Sequence, residues 1–245
     1  MSATRLFATA GRVLRQLRHD PRTVALLLVV PCALLALLWW VLIDSPQDFD
    51  QYGPALLAIF PLIVMFLVTS IATLRERSSG TLERLLTMPV AKPDFLGGYA
   101  LAFGAAATAQ ALLASGLSLG LLGMDVKGPA WAVVVVAVLV ALLGTSLGLF
   151  VSAFAQTEFQ AVQFMPAVIL PQLLLCGIIA PTDQLPSVLE FVSALLPLTY
   201  AVNAMQHLAM VGDLSSPFPR DVVVIVGFTV GFLLLGSATL RRRTP

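Results

Sequence analysis

The densest group of residues that could do chemistry lies between Arg75 and Pro89. Arg75, Glu76, Arg77, Glu83 and Arg84 stand there between two long apolar runs. Leu82, Leu85 and Leu86 recur at i, i+3 and i+4, which places them on one face of a short helix. Gly80 can serve as its N-cap, which puts Glu83 at N3 beside the positive end of the helix dipole. Pro89 stops the helix after about two turns. The chemistry this pattern offers is docking. Three leucines held in water by a greasy chain call for a protein partner to cover them, with Glu83 and Arg84 at the rim.

Other reactive residue types are present without the partners that catalysis or metal binding needs. Cys32 and Cys176 both lie inside apolar runs and read as small hydrophobes. His19 and His207 are expected on opposite faces of a membrane. No set of His, Cys, Asp or Glu has ligand spacing with a third member, so no metal is expected. Ser115, Ser118, Ser146 and Ser152 lack a basic partner at their expected depth. No Gly-x-x-x-x-Gly-Lys-Ser/Thr stretch occurs, so the chain is expected to bind no nucleotide and to be no enzyme alone.

The elements that must position the docking stretch are membrane spans. Of 245 residues, 58% are hydrophobic and only 11% charged. Soluble domains carry about 25% charged residues, so this is an integral membrane chain. A span needs roughly 20 apolar residues. Six are expected, at 23–43, 55–74, 95–122, 131–154, 159–179 and 222–240. As drawn, they contain no Asp, Glu, Lys, Arg or His. An ion or proton route normally needs such groups, so uphill transport would draw its energy from another chain. The apolar run after Arg22 is too long for a signal-peptide core, and no cleaved signal is expected.

Residues 3–18 predict a basic amphipathic helix on the inner membrane surface. Leu6, Phe7, Ala10, Val13, Leu14 and Leu17 form its apolar side, and Arg5, Arg12, Arg15 and Arg18 the other. With the N-terminus inside, 12 of the 14 Lys and Arg residues face the cytoplasm, and only Lys127 and Arg220 fall outside. The positive-inside rule therefore puts both termini and the 75–89 stretch in the cytoplasm of a multi-pass cell (inner) membrane protein. Glu158 is the only charge in the short link between spans four and five, a solvated residue or a second partner contact. The segment 180–221 is outside by this topology. Its apolar pieces, 188–196 and 200–211, are too short to cross and are expected to be re-entrant or to pack on the span tops. A seventh and an eighth span is the competing reading.

Within the spans, Ser70, Gln110 and Gln172 read as interhelical hydrogen-bonding residues or substrate contacts. Phe60, Phe66, Phe164 and Met165 suit an adaptable apolar path, and equally core packing or lipid exposure. Gly97, Gly98, Gly104, Gly116, Gly120, Gly144 and Gly148 read as close helix packing.

The stretch from Glu76 to Pro89, with Gly80-Thr81-Leu82-Glu83 at its centre, resembles the coupling segment of the ABC-2 type transporter permeases. The branch it looks like is the drug-resistance one that includes daunorubicin-type exporters. Leu174-Leu175-Cys176-Gly177-Ile178-Ile179-Ala180-Pro181, Leu185-Pro186 and Leu196-Pro197-Leu198-Thr199-Tyr200-Ala201 are similar to the family's outer-face signature. The family usually has a serine where Cys176 stands, and often an arginine where Gln206 or His207 falls.

The resemblance implies an all-α domain over the whole chain, 1–245. It implies a partner ATP-binding subunit that holds ATP and magnesium, docked on Glu76, Gly80, Thr81, Leu82, Glu83, Arg84, Leu85 and Leu86. It implies a second permease chain, identical or related, and a path between the two for a hydrophobic or amphipathic small molecule. Helix 3–18 would be the interfacial connecting helix, and Leu173, Leu174 and Leu175 resemble the family's outer hydrophobic gate. Membrane lipid is a partner and nucleic acid is not. A polysaccharide or glycolipid exporter of the same superfamily and a membrane scaffold that moves nothing are the alternatives.

Overall fold

A leading amphipathic helix, α1 (Ala3–His19), meets the first long apolar helix, α2 (Pro21–Val41), at a one-residue corner. The computed structural model describes residues 3–78 and 92–239, with side chains described over 6–77 and 97–239. Gly80, Thr81, Leu82, Glu83, Arg84, Leu85 and Leu86 lie outside the described residues. Among those described, the chain is all helix, with no strand. Among the described residues, six helices are long and apolar enough to cross a membrane.

The corner between α1 and α2 is set by local chemistry. Pro21 opens α2, where its missing N–H costs nothing. Asp20 caps it, accepting from the Thr23 backbone N–H at 3.3 Å and from the Thr23 hydroxyl at 2.6 Å.

Helix α3 runs from Pro46 to Ser78. Its 33 residues make a rod of about 50 Å, well beyond a hydrocarbon core of about 30 Å. The expected span 55–74 is its apolar middle. The connection left between the first two expected spans, which holds Asp48 and Asp50, is instead helical from Pro46. Pro46 opens it and Asp48 sits in its first turn, both favourable at a helix start. Asp50 reaches the next loop, accepting from the Asp125 backbone N–H at 2.8 Å.

Helix α4 (Lys92–Gly116) continues into a π-helical turn (Leu117–Leu121), and α5 (Ala130–Val151) follows. Helix α5 forms the centre of the core and packs most extensively on α3. Its Gly144 and Gly148 let the α3 backbone come close. A Cβ on Gly148 would lie 2.6 Å from the Phe66 carbonyl oxygen, and one on Gly144 would strike the Leu62 carbonyl. Spacing of four residues between small residues is what close helix contact in lipid requires.

Helix α6 (Glu158–Leu175) starts at an N-cap, Thr157, whose hydroxyl accepts from the Gln160 N–H. Two shorter helices follow, α7 (Ser187–Ala194) and α8 (Pro197–Met210), bent by 88°. The Thr199 and Tyr200 hydroxyls tie the corner, donating to the carbonyls of Ser193 and Ala194. Helix α7 is largely exposed, with Val188 and Phe191 open. Helix α8 is buried, with Leu198, Val202, Met205 and Leu208 at 0% exposure. It sits against α3 and the last helix, α9 (Phe218–Thr239). At 14 residues it reaches about 21 Å, short of a full crossing.

Two readings of the sequence need correction. The sequence pattern puts Asp221 at the edge of the outer segment and starts a charge-free sixth span at Val222. The helix begins earlier, at Phe218, so Asp221 belongs to its first turn and is only 3% exposed. The other correction concerns α1. Its arginines do not share one solvent face. Arg15 and Arg18 are exposed, while Arg12 turns into the bundle. The apolar residues split as well. Ala10 and Val13 are buried against the protein, whereas Phe7 is 62% exposed.

Candidate functional site

The end of α3 is the point from which the chain enters the 79–91 stretch, and three consecutive residues there hold it to three other elements. Arg75 makes a bidentate pair with Glu158, at 2.8 and 3.0 Å, at the start of α6. Arg77 donates to the carbonyl of Ser152, the C-cap of α5. Glu76 accepts two bonds from the Arg12 guanidinium of α1, at 2.9 and 3.0 Å. Arg12 also donates to the Tyr99 hydroxyl of α4 at 3.0 Å. Helix α1 is seated on α4 by the small residues Gly97 and Gly98. A Cβ on Gly98 would come within 2.6 Å of the Thr9 Cβ.

These pairs differ in weight. Arg75 and Glu158 are 56% and 51% exposed, so their pair contributes about 0–1 kcal/mol. Glu76 is 12% and Arg12 29% exposed. Removing one partner of a buried pair costs about 3–5 kcal/mol, and the partial exposure of Arg12 sets this pair toward the lower end. Arg12→Ala and Glu76→Gln should each lower the Tm of the purified protein. The double variant should lose little more than the worse single, because the two share one interaction. Strictly additive losses in thermal unfolding would show that the pair does not act as a unit.

Beside this network lies a cavity of about 430 Å³ between α1, α2, α3 and α4. Leu17, Leu26, Val30, Val64 and Val68 supply apolar wall. Its polar end is made by Gln16, Asp20, Thr23, Arg75 and Glu76. The two hydrogen bonds from Thr23 hold the Asp20 carboxyl below its usual range, so it is charged at neutral pH.

Residues expected along a substrate path lie elsewhere. Phe66 is fully buried, its backbone under Gly148. Phe60, Phe164 and Met165 are half-buried against the core. Gln172 bridges α6 to α8, donating to the Val168 carbonyl at 3.0 Å and accepting from the Leu198 N–H at 3.3 Å. Gln110 donates to the Leu27 carbonyl of α2 at 2.8 Å, the interhelical use that its type suggests. Leu174 is 60% exposed, and Leu173 and Leu175 are half-buried. None of these nine residues of the expected path, gate and polar set lines the cavity. Glu76, expected to face a docking partner, is turned inward to Arg12.

The sequence pattern missed Arg12, Asp20 and Tyr99 as members of one site. Tyr99 offered a signal, as a phenol in an otherwise apolar run needs a polar partner when buried.

Six apolar helices led by a helix clasped to the stem of a charged segment match a known membrane domain. Residues 4–210 match the ABC-2 type transporter family. The chain belongs to that family. The probable multidrug ABC transporter permease YbhS of Escherichia coli (strain K12) is 25% identical over 202 residues, covering 81% of this chain and 54% of that protein. The inner membrane transport permease YhhJ of the same strain is 28% identical over 169 residues, 66% of this chain and 44% of that protein. ABC transporter G family member 20 of Dictyostelium discoideum is 26% identical over 168 residues, 69% of this chain and 23% of that protein. The chain thus spans about half the length, or less, of these curated relatives.

Proposed function

We propose that this chain is the membrane half of an ATP-driven exporter and that it moves a hydrophobic or amphipathic molecule out of the cytoplasm or inner leaflet. Its relatives YbhS and YhhJ carry permease names, and YbhS a multidrug one. The observation that carries the reading is the three-way clasp of Arg75, Glu76 and Arg77. A push on the segment that follows α3 reaches α1, α5 and α6 together, which suits a coupling element. In this reading the segment docks on a separate ATP-binding subunit that holds ATP and magnesium, and two permease chains work side by side. Both termini and the clasp face the cytoplasm, and α7 and α8 lie toward the outer side, α8 re-entrant.

Co-expression with an ATP-binding subunit encoded beside the permease tests this. The two should co-purify, and lipophilic compounds should stimulate ATP hydrolysis by the reconstituted pair. A permease that purifies alone and leaves ATP hydrolysis unchanged would overturn the reading.

A further inference from the structure

Helix α1 presents a stripe that its packing leaves uncovered. Phe7, Gly11, Leu14, Arg15 and Arg18 follow the spacing i, i+4, i+7, i+8 and i+11, which keeps them on one face. The opposite side is spent on the protein. Ala10 and Val13 are buried, and Leu6 and Thr9 lie against Gly97 and Gly98. On the stripe, Phe7, Leu14, Arg15 and Arg18 stay exposed, and a Cβ on Gly11 would meet nothing within 4 Å. The stripe is apolar along one edge and basic along the other. No acid answers its basic edge. Arg15 spends only its Nε, on the Gly11 carbonyl 3.2 Å away. Arg15, Arg18 and the exposed Arg22 enter no ion pair among the described residues. Asp20 is the one acid in the first 43 residues, and it caps α2 through Thr23. At Pro21 the chain turns into α2, a span whose Val29 and Leu37 are exposed on the outside of the bundle. The arginines therefore stand where an apolar span meets water.

We propose that this stripe of α1 seats an anionic phospholipid, its phosphate at Arg15 and Arg18 and the upper part of its chain along Phe7 and Leu14. Such a lipid supplies both halves of the match at one depth, a negative headgroup at the interface and apolar chain beside it. The lipid is a partner of the helix, outside the cavity, and is not cargo. Arg12, within one turn of Arg15, holds Glu76, so what α1 binds bears on the clasp. The contact stands on α1 itself, and only its place at the inner leaflet rests on the exporter reading above.

The test uses the purified full chain in nanodiscs without any ATPase, in a Cys32→Ala, Cys176→Ala background with a bimane label on Gly11→Cys. Phosphatidylglycerol and phosphatidylcholine, each with a nitroxide at the same shallow chain position, are compared as quenchers. Both leaflets carry the nitroxide lipid, so the result depends neither on orientation nor on transport, and failure of the exporter reading leaves it unchanged. The anionic lipid should half-quench the label at a several-fold lower mole fraction. The preference should fall by about fivefold for each arginine removed, so Arg15→Gln with Arg18→Gln should bring the two lipids level. Val230→Cys on α9, 49% exposed, is the control and should be quenched alike by both. Equal quenching at Gly11→Cys would overturn the proposal. So would a preference no larger than at Val230→Cys, or one untouched by the double variant. No quenching by either lipid would place protein or water on this face and would overturn it too. Inorganic phosphate at matched ionic strength should leave the preference intact, and its loss would assign the arginines to free phosphate instead.

Discussion

Gly148→Val should lose most of the folded protein. The substitution drives a side chain into backbone. Its Cβ would stand 2.6 Å from the Phe66 carbonyl oxygen and 3.2 Å from both the Phe66 Cα and the Thr69 Cβ. No rotamer change relieves a contact with a main-chain carbonyl, so α3 and α5 must separate. That contact is the most extensive between any two helices described. Overpacking a tight core costs about 1–3 kcal/mol, and separation also forfeits dispersion contacts along the seam. A Tm lower by about 5–10 °C is expected for Gly148→Val. Gly144→Val, which faces the Leu62 carbonyl, should behave likewise, and the pair together should not fold. Gly231→Val in α9 is the control, since nothing lies within 4 Å of a Cβ there. Size-exclusion profiles and thermal unfolding of the three variants decide the matter. A Gly148→Val protein as abundant and as stable as Gly231→Val would mean that the two helices are not held at this distance.

Leu85→Asp should release the ATP-binding subunit and abolish transport while the permease still inserts. This follows from the proposal that Leu82, Leu85 and Leu86 are covered by that subunit. Burying one leucine contributes about 1.5–3 kcal/mol, which the substitution forfeits. It also places an unpaired carboxylate in the interface, at a cost of several kcal/mol more. Glu83→Ala should cost far less, about 0–1 kcal/mol for a rim pair, and should retain assembly. The comparison is made by co-purification of the ATP-binding subunit with each variant. A full complement of subunit on Leu85→Asp, with normal transport, would remove this helix from the coupling role. The Arg12–Glu76 clasp gives an independent expectation. Weakening it should slow coupled ATP hydrolysis without releasing the subunit, because Glu76 faces inward to Arg12.

The sequence by itself determined the class and the order of this protein. Long apolar runs and sparse charge leave only helices, since a backbone in lipid must satisfy its own polar groups. Local chemistry accounts for several helix starts in the structure: Pro21 after Asp20 for α2, Thr157 before Glu158 for α6, and Pro197 for α8. Gly144 and Gly148 were legible as contact points, because small residues four apart have few other uses in lipid. The motif around Gly80-Thr81-Leu82-Glu83 pointed to a family to which the chain does belong. What the tertiary structure alone decided was which neighbour each polar group meets. Helical periodicity put Arg12 on a solvated face, but Glu76 and Tyr99, 64 and 87 residues further on, turn it inward. Hydropathy ended the second span near Leu74 and began the sixth after Asp221, because a window cannot tell a charge in water from one packed against a neighbouring helix. The cavity beside Asp20 is made by four helices and has no local signature. Its lining is scattered from Val13 to Phe103, and only packing brings those side chains to one place.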